Sequence, residues 1–136
     1  MPRKPKTLVF DSWAALAYLG DESSAQEVAD LITSAHENRI PMYLSVVNAG
    51  EVWYILAREL SETQADSAVA DLQGLGIELI EADWPLTRMA GVFKARHRMS
   101  YADCFAAALA KDRESDLLTG DKEFRQVEGE VSIRWL

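Results

Sequence analysis

The chain has 136 residues, a net charge of −8 and 49% hydrophobic residues, enough for a single domain, residues 1–136, with its own core. Its longest apolar runs, residues 13–19 and 104–110, fall far short of the roughly 20 residues of a membrane-spanning helix, so no membrane association is expected. The acidic balance favours solubility and argues against a generally nucleic-acid-binding surface, while the lone Cys104 leaves no internal disulfide and fits a reducing cytoplasm.

The chain begins Met-Pro-Arg-Lys-Pro-Lys, basic but without the apolar stretch and small-residue cleavage site of a secretory leader behind it. Residues 7–10 read as a first strand, whose continuously apolar Leu8-Val9-Phe10 is the pattern of a central parallel strand. Asp11 ends it, and a helix is expected from Ser12 onward. Residues 22–37 place Ala25, Val28, Ala29, Ile32 and Ala35 on one helical face. A second strand, 42–46, leads into a helix carrying Asn48-Ala-Gly-Glu51, with Glu51 about one and a half turns in. Residues 62–73 form a further amphipathic helix behind the capping box Ser61-Glu-Thr-Gln64.

A third strand at 77–81 precedes a helix over 83–98, with Leu86, Met89, Ala90 and Phe93 in one stripe and Pro85 tolerated in its first turn. Ser100-Tyr-Ala-Asp103 then opens a helix in which residues 104–110 are all apolar, the pattern of a buried helix. The fourth strand, 116–119, runs into Leu118-Thr-Gly-Asp121. A short helix begins at Lys122, and a fifth strand spans 131–136. Strands alternating with helices predict an α/β fold: a short, mostly parallel sheet of about five strands with helices on both faces.

This topology gives the acidic residues a common address. In open α/β sheets ligands bind at the carboxyl ends of the strands. Strand order sends Asp11, Glu51 and Asp121 toward that edge. Asp103 heads a helix that leads into a strand and so starts at the same edge. Each aspartate has a local reading as well: Asp11 and Asp121 as helix caps, Asp103 as part of a capping box. Glu51, beside Val52, Ile55 and Leu56, needs a partner for its carboxylate. One shared cation site accounts for all four. Carboxylate oxygens suit Mg²⁺ or Mn²⁺, whereas Zn²⁺ would favour histidine or cysteine. Neither His36 nor His97 falls near a strand's carboxyl end. Such an ion activates a water and stabilises an oxyanion, the equipment for phosphodiester hydrolysis. Ser12 and Thr119 are candidates to orient a ligating water.

From residue 84 to 102 there is no acidic residue, while Arg88, Lys94, Arg96 and Arg98 supply positive charge leading directly to Asp103. The functional reading is a local basic approach for RNA phosphates; the bland one is a solvated helix face. Trp13, Trp53 and Tyr101 stand beside candidate residues and are able to stack on unpaired bases, with Trp53 the best fit to a core position. An aspartyl phosphatase would place a second acid where Trp13 stands. No Gly-Lys-Ser/Thr phosphate loop, no Gly-x-Ser-x-Gly elbow and no base beside Cys104 is present.

Taken in order, Asp11-Ser12, Asn48-Ala-Gly-Glu51, Ser100-Tyr-Ala-Asp103 and Leu118-Thr-Gly-Asp121 resemble the motifs of PIN domains, in particular the VapC-type toxin ribonucleases of toxin–antitoxin pairs. The resemblance implies a PIN-like three-layer fold, a Mg²⁺ or Mn²⁺ site, endoribonuclease activity, a homodimer and an antitoxin protein that blocks the site. It also implies that Asp11, Glu51, Asp103 and Asp121 are the catalytic metal ligands, with Thr119 in support and Glu123 close enough to replace or join Asp121. The alternative is a catalytically inactive module that keeps this fold and binds a protein partner.

Overall fold

Alternation of side chains along short strands decides which helices lie on which side of the sheet. A computed structural model describes residues 7–20 and 22–136; the basic start, residues 1–6, lies outside the described residues. The elements run β1 (Leu8–Phe10), α1 (Ser12–Leu19), α2 (Ala25–Glu37), β2 (Met42–Ser45), α3 (Val46–Glu59), α4 (Glu62–Gly74), β3 (Ile77–Ile80), α5 (Trp84–Arg96), α6 (Tyr101–Asp112), β4 (Asp116–Thr119), a 3₁₀ helix (Lys122–Val127) and β5 (Ser132–Trp135).

The five strands form one sheet in the order β3-β2-β1-β4-β5, and every neighbouring pair is parallel. Val9 is in register with Tyr43 on one side and Leu117 on the other. These residues share a face and pack with Leu86, Phe93, Phe105 and Leu109 from α5 and α6. Leu8 and Phe10 point the other way, joining Leu44, Leu118, Val28, Ile32, Val52 and Leu72 from the α1–α4 side. Three layers result, with β1 central and buried along its whole length.

Local signals explain most of the boundaries. Ser45 caps α3 by accepting from the Val47 N–H (3.2 Å), so the helix begins at Val46, the residue read as the end of a strand. Ser61 accepts from the Gln64 N–H (3.1 Å), as a capping box requires. Asp83 caps α5 through the Leu86 N–H (3.0 Å), with Pro85 in the first turn. Residues 22–24 precede α2 instead of forming its first turn; the Ala25 N–H bonds back to the Glu22 carbonyl (2.9 Å).

Helix α6 lies between the sheet and α5, and residues 104–110 are all buried. A helix covered on every side needs small side chains where backbones approach closely, and Ala106, Ala107, Ala108 and Ala110 supply them. Phe105 and Leu109 fill the remaining space, each adding about 1.5–3 kcal/mol by burial.

Enlarging an alanine here should therefore strain the packing on both sides at once. Ala107→Leu is expected to destabilise the protein by about 1–3 kcal/mol, read as a lower urea midpoint at unchanged m value. An unchanged midpoint would show that α6 has room on one side.

Candidate active site

Asp11 follows the last residue of β1 at the point where the order of the sheet reverses, β2 lying on one side and β4 on the other. Such switch points leave a crevice at the strands' carboxyl ends. The carboxylate is 1% exposed and held from two directions. Its Oδ1 accepts from the Ala14 N–H (2.8 Å), which caps α1, and its Oδ2 accepts from the Thr119 hydroxyl (2.5 Å) at the end of β4. Thr119 Oγ1 in turn accepts from the Asp121 N–H (3.0 Å). Asp121 Oδ1 accepts from the Glu123 N–H (2.9 Å), capping the 3₁₀ helix. Asp11 and Asp121 thus act as helix caps, as their local sequence reading had it, and stand at the same edge of the sheet.

A second device gathers the helices. Asn48, in the first turns of α3, is fully buried, and its amide Nδ2 donates to Ser12 Oγ (3.2 Å) and to the Ala102 carbonyl (3.0 Å). The Ser12 hydroxyl donates to the Asn48 carbonyl (3.3 Å), so its single proton is engaged. One side chain therefore ties together the starts of α1, α3 and α6. Those starts carry Asp11, Glu51 and Asp103. Glu51 lies three residues beyond Asn48, on the same helix face. Ser100 caps α6 by accepting from the Asp103 N–H (3.1 Å). The sequence pattern alone assigned Asn48 no role of its own. The available signal was an amide flanked by Val46, Val47 and Ala49, which demands buried partners.

Asp103 is the electrostatic hub of the set. Burial, then the negative charge of Asp121, pushes its carboxyl up to about 6; Glu51 and Glu123 push the same way, and the Ser100 hydroxyl opposes them. Asp11 rises to about 7, chiefly through burial, with Thr119 and Ala14 opposing and Asp103 and Asp121 adding repulsion. Asp11, Glu51, Asp103, Asp121 and Glu123 are thereby linked as one group of mutually repelling acids. Among the described residues, no three His, Cys, Asp or Glu side chains stand close enough to grip an ion as a cage. The donor set suits a hard divalent cation that keeps several waters, since Mg²⁺ usually needs only one or two carboxylates.

The basic residues are less closely engaged. Arg88, Lys94, Arg96 and Arg98 are all exposed. Lys94 Nζ donates to the Met99 carbonyl (2.6 Å), steadying the turn before α6. The backbone of Arg98 is clamped by Gln126, which accepts from its N–H (3.0 Å) and donates to its carbonyl (3.1 Å). The same Gln126 amide reaches Glu123 (3.2 Å), so Arg98 is fastened beside the acidic group. His97 pairs with Glu130 (3.1 Å), and His36 meets the Leu75 carbonyl. Burial raises the Cys104 thiol, with Lys94 partly opposing, which disfavours it as a nucleophile. Trp53 is half-buried, its indole N–H donating to Asp66 (2.8 Å).

Raised carboxyl pKa values have a definite sign for stability. Between the ordinary 3.8 and the folded values of about 6 and 7, the folded protein binds more protons than the unfolded chain. Stability from these groups is therefore full at low pH and lost as pH rises through that window. The Tm of the metal-free protein should rise as pH falls from about 8 to about 5. Asp103→Asn should weaken this dependence. A Tm that falls over the same range would contradict the buried, mutually repelling arrangement.

Comparison with known proteins agrees with this fold. A VapBC2 structure from Rickettsia felis, bound to a promoter DNA fragment, aligns with a TM-score of 0.77 at 13% identity, covering 94% of this chain and 97% of that one. VapC20 of Mycobacterium tuberculosis, a sarcin–ricin loop cleaving toxin, aligns with a TM-score of 0.69 at 20% identity, covering 94% and 99%. FitAcB of Neisseria gonorrhoeae gives 0.66 at 17% identity, covering 93% and 96%. No curated protein is similar enough in sequence to count as a match. The family model for the PIN domain matches residues 8–130, from the first strand to just before the last, and the chain belongs to that family.

Proposed function

We propose that this chain is a Mg²⁺- or Mn²⁺-dependent endoribonuclease that acts in the cytoplasm as the toxin of a toxin–antitoxin pair. The observation that carries this reading is the gathering of acids at the sheet's switch point, where Thr119 bonds to Asp11 and to the backbone of Asp121 while Asn48 joins the helix starts that carry Glu51 and Asp103. Acids crowded this way are costly for folding unless a cation offsets their charge. Toxin–antitoxin complexes among the similar structures support a protein partner, and VapC20, described as cleaving the sarcin–ricin loop, supports RNA as substrate. A homodimer blocked by its antitoxin belongs to the same reading.

In this reading Asp11, Glu51, Asp103 and Asp121 would hold the ion, in part through its bound waters, and the ion would supply an activated water and offset charge on a phosphodiester oxygen. The protein's own contribution is orientation. Thr119 ties one oxygen of Asp11 to the backbone N–H of Asp121, which fixes where the chain carrying Asp121 leaves β4. Ser12, its proton already given to the Asn48 carbonyl, anchors α1 against α3. Arg96 and Arg98 meet the RNA backbone, while Arg88 and Lys94 lie earlier along the same acid-free stretch.

Two predictions test the reading. Asp103→Asn keeps the shape and removes one repelling charge, so the metal-free protein should be no less stable than wild type. Its Mn²⁺-induced rise in Tm should shrink. RNA cleavage should fall by more than the roughly 10- to 100-fold that removal of an outer-shell partner costs. A variant that still cleaves RNA and keeps the full Mn²⁺ stabilisation would remove Asp103 from the catalytic set. A wild-type protein indifferent to Mn²⁺ would favour the inactive binding module.

The second concerns the basic stretch. Replacing Arg96 and Arg98 with Gln should weaken RNA binding and reduce the slope of log K against log salt by up to about 2, one for each phosphate no longer neutralised. The Mn²⁺-induced Tm shift should be unchanged. An unaltered salt slope would exclude these arginines from the RNA path.

A further inference from the structure

Trp13 is the second residue of α1, two places beyond Asp11, yet 37% of it faces solvent. Its position is set by Gly120. A Cβ built on Gly120 would lie 2.4 Å from the indole Cη2 and 2.6 Å from Cζ2 and Cζ3. Real side chains do not approach so closely, so the ring rests against a glycine backbone that no other residue could offer without displacing it. Gly120 is flanked by Thr119, which binds Asp11, and by Asp121. The indole is therefore pinned beside the carboxylates. It also forms part of a surface cavity of about 310 Å³, shared with Leu16, Ala17, Glu22 and Ser23.

We propose that Trp13, seated on Gly120, is a stacking platform for one unpaired nucleobase of the RNA. The proposal rests on the ribonuclease reading and adds to it a base-binding position. Three features of the site favour a base over other parts of a nucleic acid. Glu22 and the nearby acids repel phosphate, whereas a nucleobase presents an uncharged planar face to an indole. In a chain with a net charge of −8, stacking adds affinity that lysines and arginines cannot provide in bulk. The cavity, about 310 Å³, is at the small end of ligand-binding pockets, and the face of a base is free to lie on an indole only when that base is unstacked. The substrate should thus be single-stranded, or carry a loop from which one base is turned out. Because Gly120 holds the ring in place, little side-chain freedom is given up on binding.

The test uses wild type, Trp13→Ala and Trp13→Phe with a mixed-sequence single-stranded oligoribonucleotide. A companion series of the same oligonucleotide carries one abasic nucleotide at each position in turn. Affinity is measured by fluorescence anisotropy with EDTA present to prevent cleavage. Wild type should lose roughly ten-fold in Kd at one abasic position. Trp13→Ala should lose a similar factor with intact RNA and be insensitive to the abasic series, while Trp13→Phe should keep most of the effect. All three should retain the Mn²⁺-induced Tm shift, which also reports that each variant folds. Equal affinities of wild type and Trp13→Ala, in a protein that does bind RNA, overturn the platform and leave the ribonuclease reading standing. A Trp13→Ala defect confined to binding a co-expressed protein partner overturns it in favour of a protein interface. A wild type that neither binds nor cuts RNA overturns the ribonuclease reading, and the platform with it.

Discussion

Burying the carboxylate of Asp11 is the constraint on which the rest of the site depends. An ionised group removed from water must find hydrogen-bond donors or take up a proton. Asp11 finds the Ala14 N–H and the Thr119 hydroxyl, and neither is local chance. The first exists only if a helix starts immediately after β1. The second exists only if β4 lies beside β1 in parallel and ends at the same level, as the pairing of Phe10 with Leu118 arranges. The sheet's register and the first helix cap are thus both fixed to one side chain. Even so, the two bonds do not cancel the desolvation, and the carboxyl stays raised to about 7.

The remaining acids compound this tension. Asp103 could have been a simple capping residue, but Ser100 is the cap, and the Asp103 carboxylate is left facing Asp121, Glu51 and Glu123. Asn48 holds these elements together against their repulsion by bonding to two of them at once. Its own Oδ1 is buried with no hydrogen-bond partner among the described residues. Such an orphaned acceptor costs about 1–3 kcal/mol. The arrangement concentrates negative charge at a cost in stability.

Much of this was legible in the sequence because it is written in local patterns. The apolar strand Leu8-Val9-Phe10, the alanine-rich run after Asp103 and the capping boxes each follow from short-range rules, and the structure has strands and helices at those places. Strand order alone directed Asp11, Glu51 and Asp121 toward one edge, and Asp103 was expected there only because its helix leads into β4. Side-chain meetings between distant segments were not legible. Nothing in the spacing of Asn48, Ser12 and Ala102 announces that they meet, nor that Gln126 would clamp Arg98 next to Glu123. Trp13 could be named as a stacking residue, but its seat on Gly120 lies 107 residues away and emerges only in three dimensions.

The central strand has a consequence for the order of events during synthesis. β1 is made first, but its two partners are β2 and, far later, β4. Such non-local pairings form slowly, because a long loop must close before the pairing rewards it. The donor that fixes Asp11 lies 108 residues further along the chain, and Asp121 follows it. A growing chain on the ribosome can build the β1–β2 half of the sheet yet cannot assemble the acidic group. For a protein proposed to cut RNA, the acidic group therefore assembles only after β4 has been made and has paired with β1.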